Sequence, residues 1–229
     1  MTKKNIAWIW RISFYISGIV ILAIGLTFNT KSGLGVSPVI SIPFSIATIL
    51  NLNFGVTTFI AYVTFILIQA IINRDHKKWK YILQVPFTLF LSTMLSLFEK
   101  LLDFHYAHLW QNLILIFFGI VFTAIGVSMM VNMKLVLNPA DGLAKSVGYL
   151  LKKDLGFGKN ALDITCVIIT STIGLVLGGK IVGIGIGTLI AMIAVGRIIS
   201  VFNSICKDRM DKLAGLYEVD CEAEMNGVV

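Results

Sequence analysis

Apolar residues fall into six long runs, at residues 8–30, 56–73, 81–98, 109–130, 161–177 and 181–205, with charge confined largely to the gaps between them. A bilayer-spanning helix needs about 20 mostly apolar residues, so each run is a candidate crossing. Two shorter pieces, residues 38–50 and 139–151, begin with proline and read as helices. At 1.5 Å per residue each is about 20 Å long, short of a hydrocarbon core of about 30 Å. Proline suits the first helical position, where its missing N–H has no helical partner, and Ser37 and Asn138 before the two prolines are good capping residues. The expected fold is an all-α polytopic membrane protein with six transmembrane helices plus two short Pro-led re-entrant half-helices.

The pattern repeats. Gly18-Ile19-Val20 and Ala23-Ile24-Gly25 recur 101 residues later as Gly119-Ile120-Val121 and Ala124-Ile125-Gly126, and Pro38 falls on Pro139 at the same offset. Phe54-Gly55 matches Phe157-Gly158 after a two-residue insertion. Each half then reads long helix, short Pro-led helix, long helix, long helix. The expected organisation is a first membrane repeat over 1–104, a second, inverted repeat over 105–207, and a polar cytoplasmic tail over 208–229.

Composition agrees and excludes several classes. The 229 residues are 57% hydrophobic and 14% charged, with a mean hydropathy of +0.88, whereas soluble domains carry about 25% charge. That rules out a cytosolic enzyme with an ordinary hydrated surface. Three cysteines, Cys166, Cys206 and Cys221, give no disulfide framework. Despite a net charge of +7, nucleic-acid binding is not expected, because Lys and Arg concentrate in cytoplasmic loops of membrane proteins. Lys3, Lys4 and Arg11 precede an apolar segment with no small-residue cleavage site, which reads as an uncleaved first helix.

The basic residues also choose the topology. If all eight helices cross, ten fall inside and seven outside; if the two short ones dip and return, fourteen fall inside, and only Lys31, Lys100 and Lys180 outside. The second count fits the positive-inside tendency better. It puts both termini in the cytoplasm and makes the second half an inverted copy of the first, a recurrent transporter architecture.

Gly33-Leu34-Gly35-Val36-Ser37-Pro38, Phe54-Gly55, Asn138-Pro139-Ala140-Asp141-Gly142-Leu143 and Gly178-Gly179 followed by Gly183-Ile184-Gly185-Ile186-Gly187-Thr188 resemble the YczE/YyaS/YitT family of bacterial integral membrane proteins. The similarity covers roughly residues 11–203. It implies a multi-pass protein of the bacterial cytoplasmic membrane with duplicated halves, and supplies no solute. Asn138-Pro139-Ala140 also resembles an aquaporin triplet. The matching position reads Ser37-Pro38-Val39, and each short helix follows the first long helix of its half rather than the second, which argues against a water channel.

Candidate chemistry centres on the two short helices. A helix N-terminus inside the membrane carries unpaired N–H groups and partial positive charge, so two such ends at Ser37-Pro38 and Asn138-Pro139, entering from opposite faces, would form a midplane site for an anionic or carboxylate-bearing group. Gly33, Gly35 and Gly142 would allow close approach of the chain. Equally, the caps and glycines would only close a tight helix interface. Asp141 and Lys145, four apart, share a helix face and read either as a self-satisfied pair or as coupling-ion residues. Asp163 is a third coupling candidate, or with Asn160 a simple cap. Gly183, Gly185, Gly187 and Thr188 suggest an unwound start to the last helix that offers backbone to a ligand. Gly174 and Gly178 suggest a close helix contact. Gln69, Gln84 and Asn132 read as interhelical bonding groups. His105 and His108, near Asp103, read as interface residues rather than metal ligands.

Catalytic, metal and cofactor signatures are missing from the sequence. The expectation is a transporter or permease for a small anionic or zwitterionic solute, not an enzyme, in contact with the lipid bilayer and with no nucleic acid. A substrate-capture subunit of a larger transporter and a non-transporting regulatory or scaffold protein are the alternatives, so a homo-oligomer or a partner membrane subunit stays open.

Overall fold

The computed structural model describes residues 3–73, 79–102 and 106–216, and these residues form eight helices and no strand. They are α1 (Lys3–Lys31), α2 (Pro38–Leu50), α3 (Phe54–Asn73), α4 (Trp79–Leu101), α5 (Leu109–Asn132), α6 (Pro139–Leu150), α7 (Leu155–Gly178) and α8 (Ile186–Leu213). All but α2 and α6 are long and apolar enough to cross a membrane. The boundary expected at residues 104 and 105 lies outside the described residues, as do Arg74, Lys77, Lys78, Asp103, His105 and everything from residue 217 onward.

α1 and α5 form the axis of the bundle, and the duplicated glycines are where they meet. A Cβ on Gly18 would abut the Gly126 carbonyl and the Met130 side chain; one on Gly25 would abut Thr123 and the Gly119 carbonyl. Numbers rise on one helix as they fall on the other, so the two run antiparallel. Moving each residue of these pairs by 101 returns the same pairs, with Gly18–Gly126 becoming Gly119–Gly25. Small residues let backbones approach closely where lipid supplies no hydrophobic force between helices.

The short helices reach across to the opposite half. On α2, the Ser41 and Thr170 hydroxyls are 2.7 Å apart, and further along Ile49 packs on Gly178 of α7. On α6, the Pro139 carbonyl accepts from Gln69 Nε2 at 2.9 Å, and Ser146 Oγ accepts from Asn73 Nδ2 of α3 at 2.9 Å. In both cases numbers rise together, so each short helix runs parallel to its long neighbour. Counting along those neighbours at 1.5 Å per residue, α6 begins about 6 Å inside the end of α3, and α2 about 16 Å inside the end of α7. These are re-entrant half-helices.

Burial is uneven. Half of the apolar window of α5 is buried but only 6% of that of α8. Three boundaries differ from the apolar runs. α7 starts at Leu155 rather than residue 161, because Asp154 accepts from the Gly156 N–H at 3.1 Å and opens the helix early. α8 starts at Ile186 rather than residue 181, because Gly183 at φ +84 lies outside the right-handed helical region. α8 also continues to Leu213, and Met210, Ala214 and Leu216 are buried. The tail expected to leave the fold at residue 208 is packed at least to residue 216, where Gly215 stands beside Ala7 of α1.

Candidate solute site

The second short helix is capped as its sequence implies: Asn138 Oδ1 accepts from the Ala140 N–H at 3.2 Å. Ser37 does not use its side chain this way, although Pro38 follows it at the first helical position. Asp141, in the first turn of α6, pairs with Lys159 of α7 at 3.5 Å and not with Lys145. Its Oδ2 is buried without a hydrogen bond. The Asp141 side chain as a whole is partly exposed, at 23%.

α7 presents one face to this region. Lys159, Asp163, Cys166 and Thr170 are spaced at helical intervals, and Asp163, Cys166 and Thr170 are buried. Asp163 lies two turns inside α7 and only 5% exposed, so it caps nothing; its charged neighbours are Lys159 and Asp141. Tyr62 of α3, fully buried, places its hydroxyl next to the Asn138 side chain, near Asp141 and Cys166. One turn beyond Cys166, Thr170 meets Ser41 of the first short helix. The α7 face therefore connects the N-terminal ends of both half-helices.

The remaining candidates gather elsewhere. Gly35, at φ +109, lets the α1–α2 loop press on the α7–α8 loop, where a side chain would strike Gly185 and Thr188. The Val36 N–H donates to the Gly183 carbonyl and the Gly187 N–H to the Leu34 carbonyl, both at 2.9 Å. Thr188 Oγ1 accepts from the Gly185 N–H at 3.2 Å, and Thr188 is fully buried. The glycine backbone expected to meet a ligand is thus partly engaged by the chain's own loop. Gly33 takes φ +66 with open space around it. Gly142 is a contact position, since a side chain there would strike Gln69 and Gln84. Gly174 faces its own following loop rather than another helix.

The model of the Family of unknown function (DUF6198) matches residues 9–204. The chain belongs to this family. It is also 26% identical over 195 residues to the "Uncharacterized protein YyaS" of Bacillus subtilis (strain 168), an alignment covering 84% of this chain and 92% of that relative. No solved structure matches. Both findings agree with the resemblance carried by the glycine-rich loops and the Asn138-Pro139-Ala140 run.

In this DUF6198 chain, Asn138, Pro139, Asp141 and Asp163 come together, and Ser37, Pro38, Gly35 and Thr188 form a second group beside the α7–α8 loop. Tyr62, Cys166 and Thr170 complete the arrangement and were not candidates by sequence, since a tyrosine, a thiol and a threonine inside apolar runs look like packing. Lys159 carried a signal only as a basic residue flanking a helix. The amides Gln69 and Gln84, fifteen residues apart, bond to each other at 3.3 and 3.4 Å and brace the start of α6 through Pro139.

Proposed function

We propose that this membrane protein is a transporter or permease for a small anionic or zwitterionic solute, with its site between the two halves, where α6 and the α7 face meet Tyr62 of α3. The observation carrying the reading is Asp141: a carboxylate in the first turn of a re-entrant helix, one oxygen near Lys159 and the other buried and unbonded. Ionisable groups at membrane depth are costly and are functional candidates by default. The pair offers both signs of charge, which suits a zwitterion. Inverted halves would rock about this site, and because each short helix is seated on a long helix of the other half, such rocking would shift α2 on α7 and α6 on α3 together. The fourteen-to-three basic asymmetry supports cytoplasmic termini in a bacterial cell membrane.

The test is uptake into proteoliposomes under an imposed pH gradient, with a panel of radiolabelled amino acids and small carboxylates. Asp141→Asn abolishes coupled uptake while the protein still folds. Wild-type uptake no greater than that of empty liposomes removes the transporter reading. Full activity in Asp141→Asn removes this residue from it.

A second reading, a substrate-capture subunit, draws support from α8, whose apolar window is only 6% buried within the chain. Co-purification with an ATPase subunit would favour it.

A further inference from the structure

Arg197 is the one charged residue of the sequence between Lys180 and Lys207. It is exposed on the surface of the bundle, and it makes no hydrogen bond or ion pair among the described residues. Neither end of α8 lies close to it. Lys207 is about 15 Å further along at 1.5 Å per residue. Toward its start, α8 opens beside the re-entrant α2, where the Gly187 N–H donates to the Leu34 carbonyl. Ala191, Val195 and Ile198 pack with Ile116 and Ile120 of α5 and hold one side of α8 to the bundle. Arg197 stands on the other side.

An arginine so placed is a misfit against lipid. Its guanidinium carries five N–H donors, and acyl chains offer no acceptor. Side chains on a helix lean toward its start, here away from the charged end at Lys207, so stretching to the interface is disfavoured. The same face is otherwise shallow. Gly196, Ser200 and Ser204 recur every fourth residue, all exposed, and a Cβ on Gly196 would meet nothing within 4 Å. Small residues at this spacing let a second helix approach closely. We propose that this face of α8 docks a transmembrane helix of a different protein, one that carries an aspartate or glutamate at the depth of Arg197.

The charge selects the occupant. A carboxylate matches a guanidinium with two parallel hydrogen bonds. A second copy of this chain has no such group to offer from its described residues. Asp141 pairs with Lys159, Asp163 is buried, and Asp154 caps α7. Glu99, near the end of α4, accepts from the Phe54 N–H at 3.3 Å, and Asp208 and Asp211 lie beyond Lys207. A twofold contact through this face would also set Arg197 against its own copy. The partner is therefore another polypeptide. This docking face does not rest on the transporter reading or on an ATPase partner, and it stands whether or not the chain carries a solute.

The test uses the full-length chain in its native membrane, with a photoreactive phenylalanine analogue in place of Ile193 on this face or of Ile168, an exposed residue of α7. Irradiation from position 193 attaches one protein through an apolar segment that holds a single Asp or Glu, and position 168 does not attach it. Arg197→Gln and Gly196→Leu each lower the cross-linked yield about tenfold. Arg197→Glu also loses it, and lysine in place of the partner's acid restores it in that variant. In detergent, purified Arg197→Gln unfolds at or above the wild-type temperature, because the chain loses no bond of its own. A cross-link to a second copy, to lipid only, or to a segment without an acid overturns the inference. So does a yield that Arg197→Gln leaves unchanged, or a lower unfolding temperature for that variant, which would mean that the arginine braces its own chain. None of these readouts needs transport, so the outcome is independent of the fate of Asp141.

Discussion

Replacing Gly25 by alanine probes the close contact between α1 and α5. The added Cβ would stand 2.5 Å from the Thr123 nitrogen, 2.8 Å from its hydroxyl and 2.9 Å from the Gly119 carbonyl, against ordinary contacts of 3.4 Å or more. Two of these neighbours are backbone, so rotamer changes cannot relieve the clash, and α1 and α5 must separate locally by about 1 Å. Overpacking of this kind costs about 1 to 3 kcal/mol. For a chain of this size that is a fall of roughly 2 to 12 °C in the unfolding midpoint. Gly126→Ala would place its Cβ 2.6 Å from the Leu22 nitrogen and 2.7 Å from the Gly18 carbonyl, the same contact seen from the other repeat. It falls by a similar amount. The double variant falls by less than the sum, because one separation relieves both clashes. Gly196→Ala on α8, with nothing within 4 Å of its Cβ, is neutral or slightly stabilising. Thermal unfolding in detergent, followed by tryptophan fluorescence, measures all four. If Gly25→Ala and Gly126→Ala unfold at the same temperature as Gly196→Ala, the close antiparallel crossing is wrong.

Three further outcomes follow from the same geometry. Gln69→Leu removes the donor to the Pro139 carbonyl and the partner of Gln84; stranding these buried groups costs about 1 to 3 kcal/mol, and a midpoint equal to wild type would show that the amide pair does not brace α6. In a variant keeping Cys166 as its sole cysteine, 1% exposed, a maleimide reacts only after unfolding, and rapid labelling of the folded protein would contradict the packing of α7 on α2 and α6. Single cysteines introduced at Lys31 and Lys180 react with an impermeant maleimide added to whole bacteria, while one at Lys152 requires lysis; the reverse pattern would invert the proposed orientation.

The sequence by itself determined the helices, because lipid enforces a simple rule: every backbone polar group must be bonded within the segment, so length and apolarity suffice to mark a crossing. It determined the half-helices as well, since a Pro-led stretch of 13 residues is too short to span. It also displayed the repeat through Gly18, Gly25, Gly119 and Gly126, residues whose spacing persists where a close helix contact requires small side chains. Helix ends were less legible, because Asp154 and Gly183 act through local hydrogen bonds and backbone angles that hydropathy does not register. The tertiary structure alone decided the partners. Asp141 had Lys145 one turn away, yet its ion pair is made with Lys159, eighteen residues distant, because α6 lies against α7. Lys145 instead lines a cleft between α3, α4 and α6. Tyr62, Cys166 and Thr170 gain their place only when α3 and α7 bring them beside the two half-helices. An apolar run states that a residue is in the membrane; which way it faces depends on neighbours that the chain supplies a hundred residues away.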